Sequence, residues 1–487
     1  MAPNARLLLT SALVVALAST ATACSVSSPA SSQPSGAAGS KPNVVLVLTD
    51  DLSMNLLHYL PHVQEMAKTG TSFANYTVTD SLCCPSRSSL FTGMLPHDTG
   101  VFTNGGKDGG YAVFHGRGDD KSTYATSLQQ AGYRTAMMGK YLNGYDPKTD
   151  AVPPGWNEWD VAGNGYGEFD YDLNENGTVK HYGKNPEDYL VDVMAGKAAQ
   201  FVTSSAAAHT PFAIELATFA PHGPYTPAPR DADAFPGLTA PRGPAFDTLP
   251  SAAPPWLASR TPLTDKEKKT IDKDFRKRAQ AVQSVDKMIG TVLDALDKSG
   301  VRGATDIVFT SDNGYHMGEY RLTPGKQTAF DTDVHVPLVV TGPGVKAGAT
   351  VNQPVENIDL RPTLEALAGA GTPAEVDGES LVPFLTGTAP QAWRTVGLVE
   401  HHGPDFDKTD PDKPAKNSGN PSTYEAIRSV TYTYVEYAEG TKEYYDRGTD
   451  PQELHNTAAQ LPPDKAKQLH DTVQAMISCH GANACRR

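Results

Sequence analysis

Short apolar runs recur along the chain, and each stops abruptly at polar residues. Asn43-Val44-Val45-Leu46-Val47-Leu48-Thr49 is a continuous apolar stretch of strand length, the pattern of a strand buried on both faces, and it ends in Asp50-Asp51. Arg134 to Gly139 leads into Lys140, Phe212 to Ala220 into Pro221-His222, and Asp306 to Ser311 into Asp312-Asn313. Between these runs lie helical stretches, Thr123 to Ala131 and a long one from about Asp265 to Lys298. In the latter Ile271, Phe275, Val282, Val285, Ile289, Val292 and Leu296 recur at steps of three, four or seven and form one apolar stripe. Strands alternating with helices predict an α/β fold with a mostly parallel sheet flanked by helices. Such sheets place their sites at the carboxyl ends of strands, so the polar residues that end each run are expected to converge.

Near Gly378 to Gly387 the alternation gives way to a loop rich in Pro, Asp and Lys, Pro404 to Pro421. Beyond it Ala426 to Tyr437 and Lys442 to Asp446 alternate like an antiparallel hairpin around Ala438-Glu439-Gly440-Thr441, followed by a terminal helix over Pro463 to Ser478. A length of 487 residues exceeds what one compact core usually organises. The expected division is a catalytic domain over 41–390 and a smaller antiparallel C-terminal subdomain over 391–487.

The beginning of the chain reads differently. Arg6, the apolar run Leu7 to Ala18 and then Ala21-Thr22-Ala23-Cys24 have the layout of an export signal over 1–24, too short to span a membrane. Small residues before Cys24 and a Ser/Pro/Gly/Ala-rich tether over 25–40 resemble a bacterial lipoprotein signal. Lipidation at Cys24 would leave the protein on the cell surface. Cleavage by an ordinary signal peptidase is the alternative, since Ala21 sits where lipoprotein signals usually carry Leu. That lipid is the only membrane contact expected.

A net charge of -14 argues against nucleic acid as a partner, because binding it requires neutralising many phosphates. The basic stretches Lys266 to Lys269 and Arg276 to Arg278 read as a solvated helix face. Apart from Cys24, the cysteines are Cys83, Cys84, Cys479 and Cys485. The last two are placed for a terminal disulfide. Cys83 and Cys84 are adjacent and share no zinc-type spacing with other cysteines or histidines, so they need another explanation.

Asp50-Asp51 alone reads as a cap, and Asp312-Asn313-Gly314 alone as a turn. Together they make an all-oxygen donor set suited to a hard divalent cation, Ca²⁺ with Mg²⁺ as the alternative. The most specific segment is Ser81-Leu82-Cys83-Cys84-Pro85-Ser86-Arg87-Ser88-Ser89-Leu90-Phe91-Thr92-Gly93, in which Pro85 is placed to open a helix whose N-terminal N–H groups and dipole favour an anion.

This segment resembles the sulfatase signature, Cys-x-Pro-Ser-Arg followed by a small-residue helix ending in Thr-Gly. Gly139-Lys140-Tyr141-Leu142-Asn143, Ala220-Pro221-His222, Phe275-Arg276-Lys277-Arg278 and Ser311-Asp312-Asn313-Gly314-Tyr315-His316 are similar to motifs of the branch holding N-acetylglucosamine-6-sulfatases and heparan 6-O-endosulfatases. The resemblance covers roughly residues 41 to 455 and implies an alkaline-phosphatase-like fold. It implies hydrolysis of sulfate esters through formylglycine, made from Cys83 by a separate formylglycine-generating enzyme. One hydroxyl of the hydrated aldehyde would attack sulfur and the second would drive release of sulfate.

By the same resemblance Asp50, Asp51, Asp312 and Asn313 hold the metal beside Cys83, and Arg87 fixes the hydrate. Lys140 contacts hydrate and sulfate, while His222 and Lys326 bind sulfate oxygens and help protonate the leaving alcohol. Lys326 lies in Thr323-Pro324-Gly325-Lys326-Gln327, which departs from the commoner Lys-Arg form. Many arylsulfatases carry a histidine two residues after the lysine matched by Lys140. Here that residue is Leu142, followed by Asn143, which cannot take a proton. His316 is then a candidate base, with a structural loop histidine as the other reading. The expected substrate is a sulfated carbohydrate such as a GlcNAc 6-sulfate unit, or an aryl sulfate. Two other readings stand: a phosphate or phosphonate ester hydrolase of the same superfamily, and an inactive binder of sulfated glycans in which Cys83 stays a thiol.

Overall fold

The computed structural model describes residues 41–408 and 410–487. The export signal, Cys24 and the tether lie outside the described residues.

The first long apolar run forms β1 (Asn43–Thr49). Short strands β2 (Thr71–Phe73) and β3 (Tyr76–Thr77) follow, then β4 (Arg134–Lys140), β5 (Glu158–Ala162), β6 (Tyr171–Glu175) and β7 (Thr178–Tyr182). Next come β8 (Phe212–Ala217), β9 (Thr305–Ser311), β10 (Leu338–Thr341), β11 (Ala349–Val351) and β12 (Val355–Glu356). Ten of these build one sheet in the order β11-β2-β10-β9-β1-β8-β4-β5-β6-β7. Its centre, β9-β1-β8-β4-β5, is wholly parallel, and antiparallel pairs β9–β10 and β5–β6 bound it. This is the predicted mixed, mostly parallel sheet.

Burial on both faces accounts for the unbroken apolar run of β1. Val44, Leu46 and Leu48 pack on one side with Leu90 and Phe91 from the helix Cys83–Thr92. Val45 and Val47 pack on the other with Val282, Val285 and Ile289 from the helix Asp265–Lys298. That long helix begins with Thr264 accepting from the Glu267 N–H, which satisfies one of the donors a helix start leaves open. Lys266 and Lys269 do face water. Arg278 does not, which corrects the reading of Arg276 to Arg278 as a solvated face: it shares the stripe of Ile271, Phe275, Val282 and Val285 and is fully buried. Arg276 also turns inward, donating to the Leu238 carbonyl at 2.9 Å.

The C-terminal sheet runs β13 (Val396–His401), β14 (Tyr424–Ser429), β15 (Tyr432–Tyr437) and β16 (Lys442–Asp446), antiparallel throughout. The run Ala426 to Tyr437, expected as one strand, is a hairpin of two. Its turn, Val430-Thr431, carries no Gly, Pro, Asn or Asp, and so gave no break in the alternation. The helix Pro463–Met476 covers this sheet, with Leu469, Val473 and Met476 against Leu398, Ile427 and Tyr434. The Cys479–Cys485 disulfide is formed, whereas Cys83 and Cys84 are free and buried.

His97 ties this region to the rest. Its Nδ1 lies 2.8 Å from Glu400 Oε2 on β13 and its Nε2 2.9 Å from the Cys479 carbonyl. Burial pushes the imidazole down, but the Glu400 carboxylate and the Cys479 carbonyl outweigh it and lift the pKa from 6.5 to about 9. A group raised on folding contributes stability that is complete below about 6.5 and lost as pH rises through about 9. Thermal unfolding from pH 6 to 10 is therefore expected to show a fall in Tm across that window which is flattened in His97→Gln. An identical fall in both proteins would show that His97 does not cause it.

Candidate active site

The carboxyl ends of β1, β4, β8 and β9 meet at one edge of the sheet. Thr49 of β1 lies opposite Ser311 of β9, so the residues that follow also face each other. The Asp312 N–H donates to the Thr49 carbonyl at 3.0 Å, and the Asp51 N–H to Asp312 Oδ1 at 3.1 Å. Asn313 Nδ2 donates to Asp51 Oδ1 at 2.7 Å. Asp51 has a φ of 63°, a left-handed conformation that aspartate tolerates better than most residues. Arg278 donates to the Asp51 carbonyl and, at 3.4 Å, to that of Pro221, holding the ends of β1 and β8 from behind. Lys140 ends β4 just after Gly139, whose φ is +101° and where a Cβ would stand 2.0 Å from the Ala217 carbonyl oxygen. Only glycine lets β4 lie this close to β8 there.

The signature segment supplies the helix Cys83–Thr92, buried along its whole length. It begins at Cys83, two residues before the proline expected to open it. Pro85 is tolerated because the N–H groups of a first turn have no intrahelical acceptor. Two of the N–H groups expected to favour an anion are engaged within the protein. The Cys84 N–H donates to Asn104 Oδ1 at 2.9 Å, Pro85 has none, and the Ser86 N–H closes on the Leu82 carbonyl at 3.1 Å.

Side-chain cations surround Cys83 instead. Lys326 Nζ stands 2.8 Å from Cys83 Sγ and 2.7 Å from Asp51 Oδ1. Lys140 Nζ donates to Asp50 Oδ2 at 2.6 Å, and Asp50 Oδ1 lies 3.2 Å from Cys83 Sγ. Arg87, fully buried, donates from Nε to Asp312 Oδ2 at 2.8 Å and from an Nη to the Lys140 carbonyl at 2.9 Å. Donor atoms of Asp50, Asp51, Cys83 and His222 all lie within 4.8 Å of one another. The cluster opens into a cleft of about 230 Å³ lined by Asp51, His222, Lys326 and Asp412 among others.

Burial would protonate these carboxylates if they stood alone. At Asp50 it pushes the pKa up, but Lys140, His222 and Arg87 outweigh it and hold the group below its usual value. Asp312 is pushed up by burial and by the charge of Asp50. Burial lowers Lys140 and Lys326, yet Asp50 beside the first, and Asp412 and Asp51 beside the second, keep both ammonium groups well above their usual value. Burial, Asp312, Asp412 and Asp50 together raise the Cys83 thiol well above its usual value, so the encoded side chain is no thiolate nucleophile at neutral pH. The residues fit a divalent cation. Asn313 Oδ1 is buried without a hydrogen-bond partner beside the carboxylates of Asp50, Asp51 and Asp312, an acceptor left over in an all-oxygen set.

Of the residues singled out from sequence, Asp50, Asp51, Cys83, Arg87, Lys140, His222, Asp312, Asn313 and Lys326 form one buried cluster. Asn143 sits at its edge, its Nδ2 3.3 Å from the Tyr166 hydroxyl. His316 takes no part: its Nε2 meets the Ser418 carbonyl at 2.9 Å and its Nδ1 the Asp333 carboxylate at 2.9 Å. Burial lowers its pKa, but Asp333 outweighs this and raises it. His316 is fully buried and does not line the cleft beside Cys83, so it is not placed to act as a base there. Sequence reasoning missed Asp412. Asp412 Oδ1 lies 2.9 Å from Lys326 Nζ and in a short contact with His222 Nε2, while Oδ2 accepts from Asn104 Nδ2 at 2.8 Å. The only signal was an Asp between prolines, Asp410-Pro411-Asp412-Lys413-Pro414, within a loop whose composition equally suits solvent. Tyr166 was missed too, its ring 4.6 Å from that of His222 and 5.0 Å from Lys140 Nζ.

A parallel α/β sheet whose strand ends gather carboxylates, an amide oxygen and cations around a helix-borne Cys-Cys-Pro-Ser-Arg defines a hydrolase of oxyanion esters with the alkaline-phosphatase-like fold. Residues 42–370 match the family described as Sulfatase, and residues 318–478 that described as N-sulphoglucosamine sulphohydrolase, C-terminal. The chain belongs to the sulfatase family and is a sulfuric ester hydrolase, a family whose members use formylglycine and a divalent metal. It is 33% identical over 482 residues to the N-acetylglucosamine-6-sulfatase of Homo sapiens, covering 92% of this chain and 87% of that one. It is 30% identical over 506 residues to an arylsulfatase of Volvox carteri, covering 91% and 76%. Among solved structures, one described as a complex with its substrate D-glucosamine-2-N,6-O-disulfate has a TM-score of 0.76 at 22% identity, covering 89% of this chain and 97% of that one. The phosphonate monoester hydrolase of Agrobacterium radiobacter has a TM-score of 0.69 at 23% identity, covering 90% and 95%.

Burial lowers the His222 pKa, but Asp412 first, then Asp51 and Asp50, raise it from 6.5 to about 9. In an NMR titration of the metal-free protein His222 should therefore titrate near 9, and Asp412→Asn should move it down by about one unit or more, toward 6.5. No movement would show that Asp51 and Asp50 suffice to hold the proton.

Proposed function

We propose that the protein cleaves the sulfate ester of a sugar, a 6-sulfated N-acetylglucosamine unit being the substrate its relatives' names support. The observation that carries this reading is the placement of Cys83 at the start of a buried helix, facing Lys140, Lys326 and His222. Oxidised to formylglycine by a dedicated maturation enzyme, Cys83 supplies a hydrated aldehyde whose two hydroxyls serve attack and release in turn. Asp50, Asp51, Asp312 and Asn313 would hold the metal, for which Ca²⁺ suits four oxygen donors and Mg²⁺ is the alternative; it supplies positive charge beside the nucleophile and the sulfate.

The remaining work falls to the side chains. Arg87, locked between Asp312 and the Lys140 carbonyl, orients the modified residue. Lys140 and Lys326 set two ammonium groups where the sulfate charge must lie, in a buried site where such charges act strongly. His222, protonated at neutral pH, donates from Nε2 to the leaving alcohol. Having lost that proton, the same nitrogen is a neutral base within 4.8 Å of the Cys83 sulfur position and can take up the proton that release of sulfate requires. This assigns a base in a site where Asn143 cannot act as one and His316 does not reach the cleft. We also infer secretion: the expected export signal agrees with the name of a Drosophila melanogaster relative, Extracellular sulfatase SULF-1 homolog, 36% identical over 352 residues.

The test is mass spectrometry of the Cys83 peptide with assays on aryl sulfate, aryl phosphonate and N-acetylglucosamine 6-sulfate. The expected result is an aldehyde at Cys83, an unmodified Cys84 and preference for sulfate. Cys83→Ala should lose on the order of a thousandfold or more in kcat, while Cys84→Ser keeps most of it. Full activity with Cys83 unconverted, or a preference for the phosphonate, would falsify the reading. Chelation should abolish turnover, and Ca²⁺ should restore it.

A further inference from the structure

A second group of metal-ligating side chains lies outside the catalytic cluster, where the chain beyond the terminal helix meets the short helix Pro96–Thr99. His97 and Asp98 belong to that helix. His480 follows Cys479, which the disulfide to Cys485 ties down. One donor atom from each of His97, Asp98 and His480 lies within 4.8 Å of the others.

The surroundings hold these donors in place. His97 Nδ1 sits 2.8 Å from Glu400 Oε2, which leaves Nε2 as the nitrogen turned toward the group. A carboxylate behind a histidine in this way fixes the ring and makes its other nitrogen a stronger ligand. The Cys479 carbonyl oxygen stands 2.9 Å from that Nε2, a separation open to two ligands that each lie about 2.1 Å from one ion. Asp98 Oδ2 is 4.0 Å from His97 Nε2, and Asp98 Oδ1 meets His480 Nδ1. Asp377 fixes the backbone beside both sets of ligands: its Oδ2 accepts from the Leu95 N–H at 2.8 Å and its Oδ1 from the Gly481 N–H at 2.6 Å.

The charges also leave room for a cation. Among the described residues no lysine or arginine pairs with the carboxylate of Asp98, Asp377 or Glu400, and only the two histidines do so for Asp98 and Glu400. Arg117 donates to the Asp98 backbone carbonyl at 2.8 Å and pairs with Asp119. Three carboxylates thus gather around two imidazoles, a balance that a divalent ion completes.

We propose that His97, Asp98 and His480, with the Cys479 carbonyl, bind Zn²⁺. Two imidazole nitrogens and a carboxylate suit that ion, whereas the all-oxygen set beside Cys83 suits Ca²⁺. The ion takes the place of the proton that His97 Nε2 otherwise directs at the Cys479 carbonyl. It clamps the C-terminal segment onto the helix Pro96–Thr99 and takes no part in the chemistry at Cys83.

Calorimetry of the full chain with Zn²⁺, in excess Ca²⁺ to hold the catalytic cluster, tests the proposal. One saturable zinc-binding event is expected, with a rise in Tm. His480→Ala removes a side chain that is 71% exposed; it should weaken the event about tenfold or more and remove the Tm rise, with kcat unchanged. Crystals soaked in Zn²⁺ should show an anomalous peak between His97, Asp98 and His480. Zinc bound equally tightly by the unmodified protein and by His480→Ala would place it elsewhere and overturn the proposal, as would the absence of zinc binding.

Discussion

Everything at the carboxyl edge of the sheet depends on pairing charge out of water. Asp50, Asp51, Asp312 and Asp412 are all buried at their side chains, and a carboxylate there keeps its charge only where a cation meets it at close range. The cations come from distant parts of the chain: Arg87 from the signature helix, Lys140 from the end of β4, Lys326 from the loop after β9 and His222 from the turn after β8. Removing one partner of such a pair typically costs about 3–5 kcal/mol, because the other is left as an uncompensated buried ion. The site is therefore also what locks these elements to one another, and its geometry follows from the packing of the sheet.

The same constraint decides what Cys83 can be. An arrangement rich in carboxylates and closed to water stabilises cations and penalises a further anion, so the thiol is held protonated. A cysteine protease needs the opposite surroundings, with a histidine or helix end favouring the thiolate over competing carboxylates. A neutral hydrate at this position would not meet that penalty, and the lysines, with a cation that Asp50, Asp51, Asp312 and Asn313 would hold, would supply positive charge beside it. The environment that silences a thiol is in this way the one that suits the residue derived from it.

Much of this was legible in the sequence. A parallel strand buried on both faces leaves an unmistakable run such as Val44 to Leu48, and polar residues directly after such runs must lie at one edge, so the meeting of Asp50-Asp51 with Asp312-Asn313 followed from pattern alone. What escaped shares one property: its signal was identical to that of an ordinary surface. Val430-Thr431 makes a turn with β-branched residues, which continue the alternation of a strand. Arg278 reads as one more charge in a basic stretch, although its place in the heptad-like stripe with Phe275 and Val282 put it on the buried side. Asp412 lies among prolines, lysines and other aspartates, and only the folded chain carries that loop across the mouth of the site.

Asp412 also bears on how substrate enters. Its Oδ1 contacts both Lys326 Nζ and His222 Nε2, the two donors proposed to take sulfate oxygens. The chain thus satisfies its own anion-binding pair with an internal anion. If those two groups take sulfate as proposed, substrate binding is an exchange of one anion for another, which avoids the larger cost of uncovering two buried cations first. An internal carboxylate suits that exchange only if it can leave cheaply, which a sheet residue could not do without breaking a ladder of backbone bonds. Asp412 sits instead on a loop, its Oδ2 held by the side-chain amide of Asn104 at 2.8 Å.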